Sequence, residues 1–304
     1  FIIYSKIIKI GVIADIQLPI LLFLFSLLNY SQNLITEDFD ALGDPIVLPT
    51  GWSSTNQSAS IGTTSWFRGN PAVFNAHNGP TNGYIGANFN NTTGSNTISN
   101  WLISPVLNLQ NGDVISFFTR RTESSFQDRL ELRLSTLGSS SANPNGPTGV
   151  GDYTNLLLSV NPTLVANGYP TVWTEFTHTI TGLANPTDCR IAFRYFVTSG
   201  GPSGSNSDYI GIDAFKVDRT LSTEEFYSKN FVIYPNPVKD QLQIKSRHSE
   251  ILSISIMDLQ GRIMKQLTSN QFDLSWNISD LTSGIYLIEI QNSEGKGTNK
   301  FIKK

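Results

Sequence analysis

The run Arg129-Leu-Glu-Leu-Arg-Leu-Ser135 decides the fold class. Leu130, Leu132 and Leu134 alternate with Arg129, Glu131, Arg133 and Ser135. Successive side chains of an extended chain point to opposite faces, so this period describes a strand with one face in a core and the other toward solvent. No stretch between residues 33 and 219 carries a convincing helical repeat of apolar positions. Short β-rich runs recur on either side, at Trp101-Leu-Ile-Ser-Pro-Val-Leu-Asn-Leu109, Asp113-Val-Ile-Ser-Phe-Phe-Thr-Arg120, Trp173-Thr-Glu-Phe-Thr-His-Thr-Ile180 and Tyr209-Ile-Gly-Ile-Asp-Ala-Phe-Lys-Val217. Clusters of Gly, Asn, Pro and Ser separate them. Many short strands with turn-rich spacers and little helix predict an all-β sandwich or jelly roll over residues 32–219. The loops 139–153 and 199–208 exceed ordinary hairpin lengths, which marks them as functional or mobile.

Composition removes several function classes. The 304 residues carry 21 basic and 24 acidic side chains, a net charge of −3, so a strongly basic nucleic-acid binder is excluded. Hydrophobic residues at 39% suffice for one or two cores, which excludes a disordered chain. Three His and one Cys leave almost no ligands for a zinc site. Cys189 shares a strand face with Ile191, Phe193 and Tyr195, as a small buried hydrophobe does. The charge is uneven. Residues 31–228 hold 9 basic and 16 acidic residues, a balance of −7, whereas residues 229–304 hold 10 and 7, a balance of +3. Two modules are therefore expected, with the polar stretch 220–230 as their linker.

Residues 16–28 form an apolar run too short to span a bilayer, preceded by Lys6 and Lys9 and followed by small and polar residues. Such a pattern describes a secretory signal peptide over residues 1–31, with the mature chain beginning near Ser31 or Gln32 and no membrane span beyond it. A buried N-terminal element and a membrane anchor are the alternatives. The chain opens at Phe1 and both methionines, Met257 and Met264, lie far downstream, which points to a start-site ambiguity just ahead of the leader.

Glu37-Asp-Phe-Asp40, Leu48-Pro-Thr-Gly-Trp52, the Trp101 to Leu109 block, Ile191-Ala-Phe-Arg194 and Tyr209-Ile-Gly-Ile-Asp213 together resemble the choice-of-anchor J, or cleaved-adhesin-like, domain. The resemblance covers almost the whole middle module in the right order. It implies a jelly-roll sandwich related in architecture to carbohydrate-binding modules, usually non-catalytic and found on surface or secreted bacterial proteins. Sandwiches of this kind often tie their first strand to their last through structural calcium, a hard cation that takes several oxygen ligands. Glu37, Asp38, Asp40 and Asp213 are the candidate ligands if those strands pair; otherwise Asp38 and Asp40 cap or solvate an edge. Trp66, Phe67, Tyr84 and Phe89 lie in Gly/Asn-rich sequence. If exposed, Trp66 and Tyr84 would stack on sugar rings while Arg68 and nearby Asn donate hydrogen bonds; the alternative is that they anchor loops.

Enzyme motifs are absent: there is no His-Glu-x-x-His, no Gly-x-Ser-x-Gly and no Cys/His pair in a recognisable setting. Glu123, Asp128 and Glu131 alternate with arginines and read as a solvated strand face rather than a carboxylate pair. A hydrolase with an unrecognised site, or an accessory segment of a larger secreted hydrolase, is the rival to a binding module.

In residues 231–304, seven short alternating runs predict a small immunoglobulin-like sandwich. Tyr234-Pro-Asn-Pro237, Met257-Asp-Leu-Gln-Gly-Arg262, Leu281-Thr-Ser-Gly-Ile-Tyr-Leu287 and a basic end closely resemble the type A C-terminal sorting domain of the type IX secretion system. The residues that carry the motif are Tyr234, Pro235, Asn236, Pro237, Gly261, Gly284 and Tyr286. The resemblance implies passage across the outer membrane of a gram-negative bacterium by that machinery, removal of the domain, and release or surface attachment of the remainder. The expected product is an exported, adhesin-like protein that binds an unidentified glycan or protein.

Overall fold

A computed structural model describes residues 30–304 except residue 222. The signal-peptide reading of residues 1–29 lies outside the described residues. No described helix is long and apolar enough to cross a membrane.

The first unit is a sandwich of two antiparallel sheets. In chain order its strands are β1 (Tyr30–Glu37), β2 (Ser53–Asn56), β3 (Phe67–Arg68), β4 (Ile85–Asn88), β5 (Asn96–Leu109), β6 (Val114–Arg121), β7 (Leu130–Ser135), β8 (Asn155–Val160), β9 (Thr174–Thr179), β10 (Thr187–Gly200) and β11 (Tyr209–Leu221). One sheet runs β3-β4-β11-β6-β9 with β1 also on β11, and the other runs β2-β5-β10-β7-β8. Strands distant in sequence lie side by side, as in the expected jelly-roll class. The alternating leucines of β7 face inward with Phe193 and Tyr195 of β10, Phe117 of β6 and Phe215 of β11. Phe193 bridges the sheets edge-on, 4.9 Å from the Phe117 ring and 5.6 Å from that of Phe215, a favoured aromatic arrangement. Cys189 is buried in this core, and burial pushes its thiol up to about 11, far from a reactive thiolate.

The polar face of β7 departs from expectation. Glu131 and Ser135 are buried, and Asp128 just ahead of the strand is fully enclosed. For Glu131 and Ser135 the reason is the long loop 139–153, which folds back over the second sheet. Its Tyr153 builds a satellite core with Trp101, Ile103 and Ala192 on the outer face. Beneath that cover Arg194 donates through Nε to Ser99 Oγ (3.0 Å), through Nη1 to Glu131 (3.3 Å) and through Nη2 to the Pro147 carbonyl (2.8 Å). Its guanidinium also stacks 3.6 Å from the Phe196 ring centroid. Of the carboxylates read as solvated, Glu131 is thus paired under a loop and Asp128 is enclosed without an ion pair; Glu123 is exposed.

The second unit comprises α1 (Thr223–Asn230), β12 (Phe231–Tyr234), β13 (Gln241–Ser246), β14 (Ile251–Met257), β15 (Ile263–Gln271), β16 (Asp273–Asn277), β17 (Gly284–Asn292) and β18 (Gly295–Lys303). A β12-β13-β16 sheet faces a β15-β14-β17-β18 sheet around Leu242, Ile244, Ile254, Ile256, Ile288 and Phe301. The seven strands are those expected. The linker is not. Most of residues 220–230 form the end of β11 and the helix α1, whose Phe226 and Tyr227 are 4% and 3% exposed in the tail core. Two aromatics in a polar stretch are enough to seat a two-turn helix when a close neighbour receives it. Gly297 of β18 is that neighbour: a Cβ there would lie 2.7 Å from Tyr227 Cα.

Candidate functional site

The acidic corner forms where β11 passes from one partner to another. Its residues 209–212 pair with β4 and residues 215–221 pair with β1, and the register on β6 shifts between Asp213 and Lys216. Glu37 pairs with Phe215 at the end of β1, so the segment 37–40 leaves its strand beside the bulge that carries Asp213. Asp213 is fully buried. Its Oδ2 accepts from the His77 and Asn78 amides (2.8 and 3.4 Å) and its Oδ1 from the Ala214 amide (2.6 Å). Burial nonetheless pushes its carboxyl up to about 7, and Asp38 adds to the rise. Glu37 and Asp40 are also raised, by burial first and then by the Asp38 charge. The Asp40 carboxylate is cradled by glycines: a Cβ at Gly79 or Gly83 would fall 2.3 Å from its Oδ1. The first and last strands of the sandwich do pair, which brings the segment 37–40 and Asp213 to the same end of β1 and β11. Among the described residues, however, no three Asp, Glu, His or Cys side chains are grouped to hold one metal ion.

Two of the three glycan candidates move inside. Trp66 is 2% exposed in the main core, and Tyr84 is 0% exposed in a satellite core with Phe74 and Tyr209 on the outer face of the first sheet. The Tyr84 ring stacks on Phe74 at 5.1 Å, and its hydroxyl bonds the Asn70 carbonyl (3.0 Å) and the Tyr209 hydroxyl (3.0 Å). Neither ring can stack on a sugar; the loop-anchor alternative is the outcome, because loop 69–83 closes over the sheet. Arg68 stays in reach of solvent. It lines a hollow of about 620 Å³ with Phe67, Asn70, Asn82, Asn88 and Asp44. Asn70, Asn88 and Tyr209 also wall a second hollow of about 480 Å³. Phe89 and Asp208 join that one to a third of about 230 Å³ beside Phe126. The three share walls and form one groove along the β4 end of the sandwich. Sequence reading missed most of this groove, although Phe67 and Phe89 stood in the Asn-rich stretch it drew attention to. Which ring turns outward depends on loop packing, and no periodicity encodes that.

The sorting residues are knitted together. Asn236 Oδ1 accepts from the Ile302 amide (2.9 Å) and the Val238 amide donates to the Ile302 carbonyl (2.8 Å), so the Tyr234-Pro-Asn-Pro237 turn clasps the last strand. Gly261 takes φ +79 in a turn where Asp258 Oδ1 accepts from the Gln260 and Arg262 amides. Those bonds hold the Asp258 carboxyl below the usual range. Gly284 opens β17 opposite Lys303. Tyr286 packs on Phe301, and its hydroxyl donates to the Thr282 carbonyl (3.0 Å).

Asp128 sits behind the groove, accepting from the Tyr195 hydroxyl (2.6 Å) and the Asp208 amide (2.9 Å). Burial pushes its carboxyl up to about 6, against about 3.9 in an unfolded chain. Between these values the folded chain keeps a proton the unfolded chain has lost, so stability falls as pH rises through that window. His178, lowered by burial, works in the opposite sense. Asp128→Asn keeps the accepting oxygen, and its melting temperature should depend less on pH between about 4 and 7, by an amount on the order of 2 kcal/mol. Parallel profiles for the two proteins would refute this.

Residues 232–304 match the family model described as the secretion system C-terminal sorting domain. No curated protein matches the chain. Among solved structures, the K1 cleaved adhesin domain of Lys-gingipain from Porphyromonas gingivalis W83 is 20% identical with a TM-score of 0.42, covering 61% of this chain and 97% of that one. A family 11 carbohydrate-binding module from Clostridium thermocellum in complex with a β-1,3-1,4-mixed-linked tetrasaccharide is 14% identical with a TM-score of 0.34, covering 64% and 98%. TmCBM61 in complex with β-1,4-galactotriose is 17% identical with a TM-score of 0.33, covering 56% and 89%. The C-terminal unit is thus a sorting domain, and the chain is a secreted or outer-membrane surface-attached protein.

Proposed function

We propose that the exported module, residues 32–219, is a non-catalytic, adhesin-like binding domain of the choice-of-anchor J kind that holds a saccharide chain in the groove between Arg68 and Phe126. The observation that carries this reading is the continuity of three hollows walled by amide groups and by the Phe67, Phe89 and Phe126 rings. Planar amides match sugar hydroxyls, and ring faces match the apolar faces of pyranoses. The groove lacks a matched pair of carboxylates flanking one point, which glycoside hydrolysis requires: Asp44 and Asp208 line different hollows. The protein should be retained on a polysaccharide in affinity electrophoresis without shortening it. Phe126→Ala removes a ring that is 43% exposed, and should weaken retention about tenfold with an unchanged melting temperature. Product release, or indifference to Phe126→Ala, would count against the reading.

Structural calcium belongs to the same proposal. The ion would sit on Asp40 with Glu37 and Asp38, supplying positive charge to a corner where burial, and then the Asp38 charge, raise the Glu37 and Asp40 carboxyls. Calcium should raise the melting temperature, a chelator should reverse this, and Asp40→Asn should remove the response. A melting temperature indifferent to both calcium and chelator would dispose of the ion.

A further inference from the structure

We infer that the Arg68 end of the groove selects saccharides bearing a carboxylate, such as uronic acids; this rests on the saccharide reading above and narrows it. The argument begins with the arginines of the first sandwich. Arg121, Arg129, Arg133, Arg190, Arg194 and Arg219 each donate to a carbonyl or carboxylate of this chain, and Arg120 donates to the Thr171 carbonyl. Arg68 is half-buried in the wall of the 620 Å³ hollow, yet its guanidinium has no hydrogen bond or ion pair with any described residue. A guanidinium presents donors in a planar fork that fits a carboxylate through two parallel bonds, and partial burial strengthens such a pair.

The surroundings lean the same way. Asn70 Oδ1 is occupied by the Ala72 amide (3.0 Å), and Asn88 Oδ1 by the Thr64 hydroxyl (2.8 Å) and the Asn90 amide (3.0 Å). With their oxygens committed, both side chains have their NH2 donors left for a ligand. This end of the groove is therefore rich in unspent donors, which an anionic oxygen satisfies better than a hydroxyl. Asp44 shares the hollow and opposes an anion. It lies exposed at the rim, where solvent screens it.

The test uses the full chain with polygalacturonate, alginate and hyaluronan, each beside its carboxyl-reduced form. At least one acidic polymer should bind about tenfold more tightly than its reduced counterpart, and salt should erode the difference. Arg68→Gln should abolish the preference without changing the melting temperature, since the Arg68 side chain bonds no described residue. Arg68→Lys should restore only part of it, and Asp44→Asn should enlarge it. Equal binding of acidic and reduced polymers, or a preference that survives Arg68→Gln, overturns the carboxylate assignment and leaves the saccharide reading standing. Binding of sulfated polymers in preference to uronates also overturns it. Failure of every acidic and neutral polymer to bind overturns both.

Discussion

A chain cut after residue 222, so that Thr223 to Lys304 are lost, is expected to stay in the periplasm while the full chain reaches the surface. Cell fractionation with immunodetection of both proteins measures this, and surface delivery of the shortened chain would contradict it. The position of the cut follows from the packing. Removing only residues 231–304 would strip the partners from Phe226 and Tyr227, which are buried against the tail. Two exposed aromatics would then invite aggregation, and a retained protein could be retained for the wrong reason. Cutting ahead of α1 avoids this. The first sandwich keeps its own core, since the main cluster contains residues from Phe39 to Val217 and none from the tail. The sorting residues depend on their fold: the Tyr234-Pro-Asn-Pro237 turn and the final strand hold each other through Asn236 and Val238.

Glu131→Ala should lower the stability of the first sandwich by about 3–5 kcal/mol. Glu131 accepts from Arg133 Nε at 2.7 Å and Arg194 Nη1 at 3.3 Å, with side-chain exposures of 7% for Glu131 and 2% for Arg194. Burial already lowers Arg194 to about 10 despite the carboxylate beside it. Without Glu131 the guanidinium would remain enclosed under loop 139–153 with no counter-charge, and its bonds to Ser99 and Pro147 do not neutralise it. Replacing the two together, as Glu131→Met with Arg194→Met, should recover part of the loss, because the most enclosed charge goes with its partner while Arg133, at 12% exposure, still loses its carboxylate. Denaturant titration of the three variants decides the matter. A loss for Glu131→Ala within the range of a surface pair, about 1 kcal/mol or less, would show that solvent reaches Arg194.

How much of this was legible beforehand can be argued from single residues. Leu130, Leu132 and Leu134 were placed in the core by period alone, because alternation is a local property of extended backbone. The same alternation assigned Glu131 to solvent, and failed. Glu131 is on the predicted face, but whether that face is wet depends on Tyr153 and Pro147, which reach it across a long loop. Tyr84 failed for a related reason. A ring in Gly/Asn-rich sequence looks like an exposed platform until a loop such as 69–83 is known to close over it. Arg68, expected as a hydrogen-bond donor beside Trp66 and Tyr84, lines a hollow without them, while Phe126, Asn88 and Tyr209 went unnamed, because the groove is assembled from segments far apart in the chain.

The sequence by itself determined the all-β class, the main alternating strands and the sorting motif of the tail. Each depends on residues near one another in the chain or on a motif read in place. Only the tertiary structure decided that 220–230 is a packed splice, that both outer faces of the sandwich carry satellite cores, and that an unpaired Arg68 lies in a groove. Burial and pairing are properties of neighbours in space, and long-range strand order and loop closure choose those neighbours.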